Sequence, residues 1–105
     1  MPTERRTHFR LAHWFDGSWI GGSGASRCRV SDLSLSGCFV NSLAAPHPGD
    51  RTTVTMWTAS GTLSLEGDVV YVEQTIGFGV KFIELTSQQR TQIDHLMATA
   101  AKASA

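Results

Sequence analysis

The hydrophobic period of the chain changes once, and that change limits the fold more than any other feature. From Thr52 to Trp57, threonines alternate with Val54 and Met56, and from Thr62 to Glu73 the alternation resumes through Leu63, Leu65, Val69 and Tyr71. A period of two places successive side chains on opposite faces of an extended strand. After Ile83 the apolar spacing becomes three and four, through Ile93, Leu96, Met97 and Ala100, which is one stripe on a helix. Thr86 and Gln89 have the spacing of a capping box, so the helix is expected over residues 86–98.

Four shorter apolar runs complete the pattern: Leu11–Ile20, Ser26–Leu33, Cys38–Val40 and Phe78–Ile83. Turn clusters separate them, including Gly21-Gly22-Ser23-Gly24, the Pro46–Gly49 region and Thr58–Gly61. Gly67 lies inside the longest strand and predicts a bulge or bend at that point. Six short strands followed by one helix give a mostly β fold, a six-stranded antiparallel β-barrel with a C-terminal α-helix packed on it. The chain has 105 residues, which suits a single core. We expect a flexible arginine-rich arm over residues 1–11, the barrel and helix over 12–98, and a frayed tail over 99–105.

Composition removes several classes of function. With nine basic and nine acidic residues the net charge is zero, unlike that of a general DNA or RNA binder. No apolar run is long enough to span a membrane, and no apolar h-region of a signal peptide follows the first arginines, so neither membrane insertion nor a signal peptide is expected. Cys28 and Cys38 make no disulfide framework, which fits small core residues in a reducing, cytoplasmic setting. His8, His13, His47 and His95 lack metal-ligand spacing, and Ser34 and Ser36 stand in no nucleophile-elbow pattern. No metal, cofactor or catalysis is therefore expected. Trp14, Trp19 and Trp57 are expected in the core or barrel wall.

The zero net charge conceals an imbalance. Residues 1–29 hold five arginines against two acids, while residues 30–105 hold four bases against seven acids. Arginine outnumbers lysine seven to two, which favours planar, bidentate recognition. Taken alone, the cluster of Arg5, Arg6 and Arg10 suits either a solvated tail or an anion site. A guanidinium can fork onto phosphate, bond guanine O6 and N7, or stack on a base. Farther on, Asp32 and Ser34 stand two apart at a strand end, with Gly37 three residues beyond. That stretch suits a Ser-stabilised turn closed by glycine, and equally a carboxylate and hydroxyl presented to a ligand.

The two segments together resemble the PilZ family. Arg6 and Arg10 form its Arg-x-x-x-Arg pair, and Asp32-Leu33-Ser34-Leu35-Ser36-Gly37 its Asp-x-Ser-x-x-Gly motif. Gly77–Phe82, Leu85-Thr86 and the amphipathic tail are similar to the family's closing strand and helix, so the resemblance runs from Glu4 to about Met97. The Trp-rich and Gly-rich Trp14–Gly24 segment departs from the pattern and is expected to reshape the first hairpin.

The resemblance implies a non-enzymatic receptor for cyclic di-GMP, a bacterial second messenger. By the same resemblance Arg6 and Arg10 grip phosphates and guanine faces, Asp32, Ser34 and Gly37 read guanine, and Arg5 occupies the variable position before the pair. Two stacked, intercalated ligands would bring four negative charges, so the additional arginine leads us to expect a ligand dimer, with Arg27 or Arg29 as further cations. Output would pass to an unidentified effector protein, in motility, biofilm or polysaccharide control. The main rival is a ligand-independent adaptor of the same fold, which would need neither motif. A second, a small barrel for single-stranded nucleic acid, conflicts with the charge balance.

Overall fold

The computed structural model describes residues 13–22, 24–44 and 46–104. Six strands and one helix follow in chain order: β1 (Phe15–Gly21), β2 (Gly24–Ser31), β3 (Gly37–Asn41), β4 (Arg51–Thr58), β5 (Gly61–Glu73), β6 (Gly77–Phe82) and α1 (Ser87–Ser104). The strands close into an antiparallel barrel in the order β1-β2-β3-β6-β5-β4, with β4 returning to β1. Closure leaves no free sheet edge.

The period-two residues supply the interior. Val30, Val40, Val54, Met56, Leu65, Val69 and Phe78 are buried. Trp19 is the largest buried side chain; its indole N–H donates to Ser42 Oγ at 3.1 Å, and its ring meets Phe78 edge-on. That hydrogen bond lets the polar end of the indole sit in an apolar core. Trp14 and Trp57 lie outside the core, 55% and 40% exposed, Trp57 on the outer side of the barrel wall in β4 and Trp14 ahead of β1. Arg29 lies over the Trp14 ring and Arg27 over the Trp57 ring, at 4.7 and 5.2 Å from the centroids.

The bulge in β5 also differs from expectation. Gly67 is paired on both sides, with Thr52 and Phe82, and the register shift falls between Val69 and Tyr71. Glycine is needed at 67 because a Cβ would meet Val80 Cγ1 at 2.5 Å and the Lys81 carbonyl oxygen at 2.6 Å. The extra residue, Val70, inverts the alternation after Val69: Leu63, Leu65 and Val69 point inward, Val70 and Tyr71 are half-exposed, and Val72 packs on the core. Tyr71, expected on the same face as Val69, is thereby turned outward.

At the helix start the capping box forms. The Thr86 N–H donates to Gln89 Oε1 at 2.9 Å, and the Gln89 N–H donates to Thr86 Oγ1 at 3.0 Å. Ile93 is fully buried, with Leu96 and Met97 packed beside it on the barrel core, and His95 faces outward. α1 continues to Ser104, beyond the expected end near residue 98. The alanine-rich stretch from Ala98 onward explains the extension, because alanine has the highest helix propensity.

Candidate functional site

β2 ends where the backbone turns left-handed. Asp32 has φ of 53°, so the strand stops at Ser31, before the expected Leu33. A short polar side chain tolerates this region better than a branched or bulky one. Leu33 then enters the core, and residues 34–37 fold into a compact loop around one hydroxyl. Ser34 Oγ accepts from the N–H of Ser36 at 3.2 Å and of Gly37 at 3.3 Å, and lies 3.0 Å from Ser36 Oγ. The Ser34 N–H donates to the Gly37 carbonyl at 2.9 Å. Ser34 is only 4% exposed and serves as the internal fastener of the loop. Gly37 is needed for another reason: a Cβ there would overlap the Val80 carbonyl oxygen of β6.

This loop forms one wall of a pocket of about 280 Å³ on the outside of the barrel. Asp32, Ser34, Ser36 and Gly37 line it on one side; Phe39, Tyr71, Gly79 and Lys81 complete it from β3, β5 and β6. Carboxylate, hydroxyl, ammonium and aromatic groups thus converge on a single concavity. The second set was missed in the sequence, because cross-strand register alone brings Lys81 opposite Gly37 and Gly79 opposite Tyr71. The isolated Gly79 between inward Phe78 and Val80 was the available signal.

Arg5, Arg6 and Arg10 lie outside the described residues. The register of the first hairpin nevertheless sets where the chain enters the barrel: Phe15 pairs with Val30, so His13 and Trp14 approach β1 at the end where β2 runs into Asp32. Arg27 and Arg29 occupy the outer face against their tryptophans, and Arg29 Nε lies 3.7 Å from Asp16 Oδ1. Cys28 and Cys38 are free thiols. Burial, then the Asp16 carboxylate, pushes the Cys28 thiol up to about 11, and complete burial raises Cys38 further. Among the described residues no group of His, Cys, Asp and Glu is arranged to hold a metal, and no helix is long and apolar enough to cross a membrane.

Comparisons with known proteins address the whole chain. No protein of curated function matches it by sequence. The PilZ domain of Escherichia coli YcgR, solved with c-di-GMP, superposes with a TM-score of 0.78 at 16% identity, covering 95% of this chain and 94% of that one. In the larger Escherichia coli YcgR structure in complex with c-di-GMP, the TM-score is 0.74 at 19% identity; 95% of this chain matches about half (47%) of that one. The PilZ domain of CeSA from a cellulose-synthesizing bacterium superposes at 0.68 with 15% identity, covering 87% of this chain and 96% of that one. At such identities the likeness establishes the barrel-and-helix fold. The sequence itself matches the PilZ domain over residues 4–99, nearly its full length, and with the closed barrel and the Asp32–Gly37 loop in place the chain belongs to the PilZ domain family.

Proposed function

We propose that this PilZ domain is a receptor for cyclic di-GMP, without catalytic activity, that passes its signal to a partner protein. The observation that carries the reading is the pocket beside Asp32 and Gly37, at the barrel end where the chain enters β1. Covalent geometry keeps the Cα of Arg10 within about 11 Å of that of His13, and in this reading its guanidinium closes over this wall. In this reading Arg6 and Arg10 clamp phosphate and guanine, Asp32 accepts from the guanine N–H groups, and Ser34 holds the loop that presents Asp32 and Gly37. The YcgR structures carrying c-di-GMP support the choice of ligand.

Arg5 adds a third positive charge beside the pair, which favours an intercalated ligand dimer over a single copy. Closure of the arginine arm over the ligand would change the surface that an effector meets, and so convert occupancy into output. The test is isothermal titration of the chain with cyclic di-GMP, with GMP and a single-stranded oligonucleotide as controls. Arg6→Ala and Arg10→Ala should each weaken cyclic di-GMP binding by about 1.5–3 kcal/mol, the scale of charge-assisted hydrogen bonds. Their circular-dichroism spectra should be unchanged. Wild-type affinity in both variants would remove the clamp, and no heat with the wild type would leave the adaptor reading in its place.

A further inference from the structure

Resting on the reading of this pocket as a cyclic di-GMP site, we infer that Tyr71 is the stacking shelf for one guanine base. Three features of the barrel set it there. The bulge at Val70 turns the ring out of the core into the pocket wall, leaving it 48% exposed. Gly79, directly across the ladder, makes a seat for it: a Cβ at 79 would overlap Tyr71 Cε1 and come within 2.6 Å of Cζ, so the ring rests on bare backbone. Phe39 extends the surface from β3, its ring centroid 6.1 Å away and tilted by 32°.

A ring held down on one side by a strand is pre-ordered and costs little entropy to use. It shares the pocket with Asp32, whose carboxylate suits the Watson–Crick edge of guanine, and with Lys81, whose ammonium suits a phosphate or O6. Stacking and edge recognition would then act on one base from two directions, as in single-stranded nucleotide sites. The alternative is a purely structural role, in which the tyrosine covers a strand glycine and adds only to sheet stability.

The chain has a single tyrosine, so tyrosine-labelled protein gives one ring spin system to follow by NMR. On saturation with cyclic di-GMP its ring protons should move upfield under the ring current of a stacked base. Tyr71→Phe should keep wild-type affinity, and Tyr71→Leu, which still covers Gly79 with apolar bulk, should weaken binding about tenfold or more, the order of one base–aromatic stack. Ring resonances unmoved at saturation, or Tyr71→Leu binding like the wild type, would overturn the shelf while leaving the receptor reading intact. A wild type that fails to bind cyclic di-GMP at all would overturn both. If Tyr71→Leu does not fold, the wild-type NMR titration alone decides.

Discussion

Removing the Ser34 hydroxyl should damage the loop before it damages any ligand contact. Ser34→Ala deletes an acceptor shared by the N–H groups of Ser36 and Gly37, at 3.2 and 3.3 Å, and the Oγ–Oγ contact with Ser36 at 3.0 Å. These bonds are long, and Ser36 itself is exposed, so water recovers part of the loss. Three weak contacts at the lower end of the usual net range come to about 1–2 kcal/mol. For a domain of this size each kcal/mol moves the thermal midpoint by about 4–8 °C, so ligand-free Ser34→Ala should melt roughly 5–15 °C below wild type. Affinity for cyclic di-GMP should fall with it, because the same loop orients Asp32 and Gly37. Ser36→Ala, which loses only the Oγ–Oγ contact, should change the midpoint by a few degrees at most. Scanning calorimetry without ligand and isothermal titration with it provide the two readouts. An unchanged midpoint with strongly reduced affinity would refute the reasoning and make Ser34 a direct contact.

Other perturbations separate the remaining roles. Arg10→Ala should make binding less salt-sensitive, whereas Asp32→Ala should lower affinity with little change in salt slope; equal slopes would erase the distinction. Asp32→Asn is the cleaner variant, since asparagine tolerates the φ of 53° and alanine pays for it in stability. Measured stoichiometry should be two ligands per chain in the wild type and fall towards one in Arg5→Ala; one per chain in both would remove Arg5 from that role. Ile93→Ala should destabilise by about 2–4 kcal/mol, because a fully buried side chain between helix and barrel leaves a cavity; a midpoint within a degree or two of wild type would argue against that docking. Cys28, with its thiol raised to about 11 by burial and Asp16, should react slowly with thiol reagents near pH 8, and the more buried Cys38 more slowly still. Above pH 9 the unfolded thiols release protons that the folded ones retain, so the stability they contribute should decline as pH rises towards 11 and return below 9.

The parts legible in the sequence are those set by neighbours along the chain. The strand of Thr52–Trp57, the capping box of Thr86 and Gln89 and the stripe of Ile93, Leu96 and Met97 each depend on residues within one or two turns or pleats. The grouping of Asp32, Ser34 and Gly37 was equally readable as a motif, because it is a pattern of residue type at fixed spacing.

Which faces those residues present was decided only by closure of the barrel. Gly37 is required by its passage against the Val80 carbonyl of β6, a contact between residues 43 apart in sequence. Trp19 is in the core while Trp57 is on the outer face, a division that depends on strand register rather than on the residue. Tyr71 is the sharpest case: its local pattern assigns it to the core with Val69, and one unpaired residue against β6 turns it into the pocket. A strand's side chains alternate with a period of two, so a single bulge inverts every side chain beyond it, and the pairing that creates the bulge exists only once β5 and β6 have met.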